Sequence, residues 1–380
     1  MRRAPVLGAP ALLLVLAAPA LAQGRWSGRT AVLYESYSFG TGLVFDKVSE
    51  MTVPVGLTYQ LGRLGNIALS SGFASVSLRS TDTAQLADQK VSGLLDTEAR
   101  LSVNVVPGKV VALLTGALPT GTKTVQHDEL SVLGALSSDI VGFAASNLGT
   151  GGNVGGGFAA AIPLGRWAAG LGATFRQSMS YQPVLGVTDQ LKPGSELRLR
   201  AGLEGALARR TYLRAAGILA RTSKDRVAFS GVDSTRNGVG TRLISYLSVN
   251  QGFTSFSLTA YAFDVMRGDP LVEPTALGAA VLPRGNLFAL GGRADIPLGQ
   301  TMTLSPNAEW RSSAAAPDTA ASALQGLGAS VRFGLDLRRR LTSSTALVLQ
   351  GGGTSGHVIQ AGSRISLSGY RVALHLELTP

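Results

Sequence analysis

The chain of 380 residues has no cysteine, three histidines, and charged side chains at only 15% of its positions. Without cysteine it has neither a disulfide framework nor a thiolate metal site. None of the three histidines stands in a metal-ligand or triad spacing, so no metal, cofactor or catalytic role is expected, and no enzyme. Beyond the N-terminal region there is also no run of the roughly 18 apolar residues that a transmembrane helix requires. What the chain does have is 48 glycines, 45% hydrophobic residues and a formal net charge of +11.

The first residues fix the compartment. Arg2 and Arg3 form a basic start, Ala11–Ala18 is a short apolar stretch, and Ala20-Leu21-Ala22 reads as a cleavage site before Gln23. Residues 1–22 are therefore expected to be a secretory signal peptide, too short in its apolar part to span a bilayer, and residues 23–380 the exported protein. Removing Arg2 and Arg3 leaves a charge of about +9. Nucleic acid is an unsuitable partner for an exported chain. A basic lumen, or contact with anionic head groups, accounts better for the surplus.

Alternation of polar and apolar residues runs through the sequence. In Glu196–Gly205, Glu196, Arg198, Arg200 and Glu204 take one parity while Leu197, Leu199, Ala201 and Leu203 take the other. This is the pattern of a strand with one charged and one apolar face. Similar stretches are Glu50–Gln60, Asp96–Val105, Trp167–Arg176, Phe288–Ile296, Thr301–Trp310 and Val331–Arg338. We count about sixteen strands of roughly ten to fourteen residues, with about fourteen as the alternative count. Short turns near 61–65, 106–109, 163–166, 208–210, 251–252, 298–300 and 339–343 alternate with longer segments near 37–46, 80–90, 119–150, 179–194, 223–238, 265–285, 312–324 and 353–362.

Such segregation of connections by length suits an all-β, up-and-down antiparallel barrel with short periplasmic turns and long external loops. A secreted soluble β-sandwich is the alternative, but its Greek-key crossovers mix loop lengths, and it offers no interior for so many arginines. The leucines are therefore expected to face outer-membrane lipid. The aromatics Trp26, Tyr59, Trp167, Tyr212, Tyr246, Trp310 and Tyr370 fall near strand ends, where interfacial belts form. In the last strand Ile365 and Leu367 take one parity and Tyr370, Val372 and Leu374 the other, which predicts a β-bulge at Ser368-Gly369.

Within His127–Leu148, Leu130, Leu133, Leu136, Ile140 and Phe143 recur at helical spacing, so a short helix is expected in the 119–150 loop. It could fold inward as a constriction or stand outside as a docking surface. Leu133, Leu136, Ile140 and Phe143 are the candidates for an external or mouth-lining helix. The glycine-rich Gly149–Gly157 lacks the Lys-Ser/Thr of a phosphate-binding loop. Gly351–Gly356 is expected to be a flexible loop tip, His127 and His357 loop residues, and His375 a polar lumen residue.

The charges on the polar parity are the remaining candidates for function. These are Glu98, Arg100, Arg176, Arg198, Arg200, Glu204, Arg214, Arg293, Asp295, Glu309, Arg332, Asp336, Arg338 and Arg371. Facing ladders of opposite charge set the ionic preference of a pore, and they also tie neighbouring strands together.

Ser92–Thr124 resembles a segment of the outer-membrane barrels grouped as meta-pathway-of-phenol-degradation transporters, through Gly93, Asp96, Thr97, Leu118, Pro119, Thr120 and Gly121. The stretches at 160–183 and 193–207 are similar to the related fatty-acid-transporter-like channels. The resemblance implies a channel or transporter for passive uptake of small, hydrophobic or aromatic molecules. The residues alone suit a porin-like channel with mild anion preference. A structural or adhesin-like surface barrel is a third reading. A monomer is expected, with lipid, a small-molecule solute and the barrel-assembly machinery as its partners.

Overall fold

The computed structural model describes residues 25–82, 86–136, 138–187, 189–229, 232–236, 240–268, 285–315, 325–360 and 362–379. The expected signal peptide, and parts of the 265–285 and 312–324 segments, lie outside the described residues.

The chain opens with a meander of β1 (Trp26–Phe39), β2 (Phe45–Gln60) and β3 (Gly65–Ser80). The next wall position is shared by β4 (Gln89–Leu94) and β5 (Thr97–Val106), which lie end to end. β4 pairs with Phe73–Leu78 of β3, and β5 pairs with Gly65–Ser70. β6 (Val110–Leu118), β7 (Asn153–Leu164) and β8 (Trp167–Ser178) follow. After β9 (Gln190–Lys192) the wall continues with β10 (Glu196–Ala208) and β11 (Thr211–Thr222). A hairpin of β12 (Asp225–Phe229) and β13 (Val232–Arg236) joins β9 in a separate three-stranded sheet.

The wall is completed by β14 (Thr241–Gly252), β15 (Ser257–Arg267), β16 (Gly285–Leu298), β17 (Met302–Ala315), β18 (Gln325–Arg340), β19 (Thr345–Gln360) and β20 (Ser363–Leu378). β20 pairs antiparallel with β1, so the sheet closes with sixteen wall positions. Closure through β20 and β1 leaves the wall with no free terminal strand, the condition for β-structure in hydrocarbon. No helix among the described residues is long and apolar enough to cross a membrane, which says nothing of a crossing made by strands.

The two faces of the wall separate by parity. On β10, Leu197, Leu199 and Leu203 point outward and remain 45%, 46% and 41% exposed, while Glu196, Arg198 and Arg200 point inward. The same apolar exposure recurs at Leu114, Phe158, Leu171, Leu247, Leu290, Phe333, Leu349 and Leu374. A continuous girdle of this extent has no counterpart on monomeric soluble proteins, where apolar patches stay small. It is the outer surface of a membrane barrel. Trp26 packs on Tyr59 at 4.8 Å at one end of that surface, and Tyr34 lies 6.0 Å from Tyr370.

The turns follow their chemistry. Pro163-Leu164-Gly165 ends β7 and Pro297-Leu298-Gly299 ends β16, and in both the glycine takes positive φ, +65° and +77°. That conformation is open to glycine at no steric cost, so the chain can reverse at once.

Four expectations fail here. The 353–362 segment is not a long loop: β19 runs to Gln360 and β20 begins at Ser363. Gly351–Gly356 is strand, and its glycines serve close packing. A Cβ on Gly353 would come within 2.6 Å of the Phe333 ring, and one on Gly356 within 2.2 Å of the Ala329 carbonyl. The β-bulge at Ser368-Gly369 is also absent, since β20 pairs with both β1 and β19 without a register shift there. Ile365 and Leu367 take the inner parity and are buried, 4% and 2% exposed, Leu367 in the apolar cluster and Ile365 beside Gly40 and Gly42. Last, Tyr246 and Tyr212 pair with Ala216 and Ala206, on the inner parity, and do not belong to an outer belt.

The barrel interior and the loop that crosses it

The wall has a break at Leu95-Asp96, between β4 and β5, and that break holds the base of the 119–152 loop. The Asp96 carboxylate accepts hydrogen bonds from Gly121 N (3.0 Å), Thr150 N (2.6 Å) and Thr150 Oγ1 (3.0 Å), joining the two ends of the loop. Thr97 N donates to Thr120 Oγ1 at 2.8 Å. Gly93 and Gly121 are glycines because a Cβ would strike Thr122 Oγ1 in one case and the Leu148 carbonyl in the other. Gly93, Asp96, Thr97, Thr120 and Gly121, which carried the sequence resemblance, thus meet at one spot and turn the loop inward.

Inside, the loop begins with a 3₁₀ turn, His127–Glu129, in which Glu129 accepts from Gln126 N at 2.8 Å as a capping box. The helix α1 (Leu130–Leu136) follows and is shorter than the expected repeat, because Ile140 and Phe143 lie beyond its end. Val132, Leu136, Ile140, Val141, Phe143 and Leu148 are buried against inward-facing Tyr37, Val48, Val76, Leu78, Val91 and Leu367. Leu133 packs at the margin of the same cluster. Tyr37 and Phe143 meet edge to face at 5.3 Å. The helix therefore lines the inner wall near the loop end, and the segment after it crosses the lumen.

The crossing segment is held by polarity matched to the peptide groups. On one side Glu35 and Glu50, direct partners on β1 and β2 and each 0% exposed, accept from Ala144 N and Ala145 N, both at 2.9 Å. Glu35 also pairs with Arg371 at 2.8 Å and accepts from Tyr37 Oη at 2.8 Å, and Glu50 accepts from Thr52 Oγ1. On the other side the donors are arginines and a serine. Arg311 reaches the Asp139 carbonyl (3.1 Å), Ser330 the Ile140 carbonyl (3.1 Å) and Arg332 the Gly142 carbonyl (3.3 Å). Arg267 pairs with the Asp139 carboxylate at 2.8 Å. Carboxylates thus take two of the amides, and two guanidinium groups and a serine hydroxyl take three of the carbonyls, so these peptide groups are satisfied without regular secondary structure.

The opposite arc, from β5 to β10, is empty by comparison. Its inner parity carries Gly155, Gly157, Gly170, Gly172 and Gly202, and it borders a cavity of about 800 Å³ that also reaches Gly56, Thr58 and Ser70 on β2 and β3. Arg29, Arg100, Arg176, Arg198 and Arg200 line that space with Glu98, Glu196 and Glu377. Glu196 is 2% exposed and serves three cations: Arg198 Nε at 2.5 Å, Arg242 at 2.7 Å and Arg176 at 3.5 Å. A second, smaller cavity of about 340 Å³ lies beside the crossing segment, between Tyr37, Tyr261, Arg293, Arg332, Asp336 and Arg371.

All fourteen charged candidates fall on the inner parity. Glu98, Arg100, Arg176, Arg198 and Arg200 line the large cavity. Glu204 and Arg214 pair with each other at 2.8 Å, and Arg338 with Glu377 at 2.9 Å. Arg293 bridges Asp295 and Asp336 at 2.7 and 2.8 Å. Glu309 binds Arg311 at 2.8 Å and accepts from Tyr261 Oη at 2.7 Å. Arg332 and Arg371 belong to the clamp on the loop. His375 sits on the inner face, 2.8 Å from Gln350 Oε1, whereas His357 is on β19 beside Arg364 at 3.1 Å, not in a loop. No group of acidic and histidine side chains suited to a metal ion occurs among the described residues.

The sequence reading missed Glu35, Glu50, Arg242, Arg267, Arg311 and Asp139. Glu35 and Glu50 share their inner parity with Leu33, Tyr37 and Val48, so no clean polar face marked them.

No family model matches the chain, and no curated protein does. Among solved structures, a deltaS2 mutant of the TodX monoaromatic hydrocarbon channel superposes with a TM-score of 0.50 at 12% identity, covering 94% of this chain and 90% of that one. A FadL homologue of Pseudomonas aeruginosa gives 0.45 at 10% identity, covering 95% and 92%, and Pseudomonas aeruginosa OccK11 gives 0.43 at 14%, covering 93% and 95%. At these identities the likeness is one of fold. The chain has the closed β-barrel fold of outer-membrane proteins.

Proposed function

We propose that the protein is an outer-membrane channel for passive uptake of small solutes, with a preference for anions. The observation that carries this reading is the large cavity beside the loop, where five arginines face three carboxylates. In a narrow, low-dielectric passage such a surplus concentrates anions and repels cations. The loop clamp narrows the other arc and leaves the arginine-lined arc as the route. Lipid surrounds the outer girdle, the barrel-assembly machinery inserts the chain after its signal peptide is removed, and the monomer is the working unit. Nothing in this reading calls for catalysis.

Hydrophobic or aromatic solutes are the second reading, favoured by the resemblance in Ser92–Thr124. Such solutes would need an apolar site, and the apolar cluster of the interior is filled by the protein's own Leu136, Ile140 and Phe143. The two readings part in planar bilayers. A steady, anion-biased current is expected, and Arg198→Glu with Arg200→Glu should move the reversal potential toward cations. An unchanged potential would remove these arginines from the permeation path, and low ion current with measurable hydrocarbon uptake would favour the second reading.

A further inference from the structure

Resting on the channel reading, we propose that the 800 Å³ cavity is a binding site for small dianionic solutes, and not only a wide stretch of pore. Arg29, Arg100 and Arg200 line it and have no hydrogen-bond or ion-pair partner among the described residues. They come from β1, β5 and β10, on both flanks of the glycine-lined wall. Arg100, Thr115, Gly155, Arg176 and Glu196 follow one another along a single row of strand pairings. Across the middle of that row stand a threonine and a glycine, so nothing occupies the space between the guanidinium groups.

Glu196 neutralises one of the three arginines it touches, and it binds Arg198 through Nε, which leaves that group's terminal nitrogens for the cavity. The site therefore holds more positive charge and more donors than it has acceptors. A single monovalent anion leaves a cation unmatched, whereas a solute with two negative charges can bridge guanidinium groups from different strands by charge-assisted hydrogen bonds. A dicarboxylate and a phosphate share this chemistry.

Equilibrium dialysis of radiolabelled succinate against the detergent-folded mature chain tests the site, with phosphate and glycine as competitors. We expect saturable binding, about one succinate per barrel, and about tenfold or greater weakening in Arg100→Gln combined with Arg200→Gln. Arg293→Gln, in the smaller cavity, should leave affinity unchanged, and heat-modified gel mobility confirms that each variant is folded. Phosphate competing as well as succinate assigns the site to dianions in general; phosphate failing assigns it to dicarboxylates. Binding that does not saturate, that survives the double substitution, or that glycine displaces equally well would overturn the inference. Dialysis reads the site and reversal potential reads permeation, so failure here with an anion-biased current leaves the channel reading standing.

Discussion

The interior of this barrel has two arcs built from the same kind of strand and used in opposite ways. On the side from β15 round through β20 to β4, many inward side chains are apolar and buried against the loop or paired into its polar clamp. From β5 to β10 the inner face borders the open, arginine-lined cavity, which Arg29 and Glu377 complete from β1 and β20. The wall hydrogen bonds are alike in both arcs. What differs is whether the inner parity offers the loop somewhere to bury Val132, Leu136 and Phe143. A sheet closed on itself needs no core, so its inner face is free to become a docking site on one side and a passage on the other.

Removing the difference altogether should have the largest effect. Deleting residues 138–148 opens the filled arc while the closed sheet persists, and single-channel conductance should rise severalfold; an unchanged conductance would show that the segment is no constriction. Next comes the outer face. Leu199→Arg should cost about 2–4 kcal/mol of barrel stability if it lies near the bilayer midplane, read by urea unfolding in lipid vesicles, whereas Arg198→Leu should cost much less and change selectivity. Leu136→Asp puts a carboxylate into the apolar cluster without a partner, at about 3 kcal/mol or less of loop docking, seen as faster cleavage within 119–152 by an added protease. The smallest effect is expected at the loop base, where Asp96→Asn should weaken docking by about 1–3 kcal/mol, with conductance noise as the readout.

Much of the wall was legible from sequence because lipid favours apolar or small side chains at outward positions, and every second residue is outward. The charged candidates obey that rule throughout. Legibility ends where the inner face is also apolar. Ile365 and Leu367 looked like a parity error needing a bulge, yet their strand is regular and both are buried on the inner parity, Leu367 in the cluster that holds the loop. Glu35 and Glu50 were hidden for the same reason, among Leu33, Tyr37 and Val48. Gly351–Gly356 read as a loop tip because glycine is ambiguous: it permits turns, and it also permits the close approach of Phe333 to the wall. The helix at Leu130–Leu136 was visible in its spacing, but where it docks depends on contacts distant in sequence, such as Ala145 with Glu50.

The absence of native cysteine allows the central claim to be tested directly. Single substitutions Leu197→Cys, Arg198→Cys, Leu199→Cys and Arg200→Cys can each be made in the folded barrel in lipid vesicles and exposed to a membrane-impermeant thiol reagent. If hydrocarbon covers the apolar side and water fills the inside, labelling alternates, fast at 198 and 200 and absent at 197 and 199. Uniform labelling, or the opposite alternation, would contradict the account.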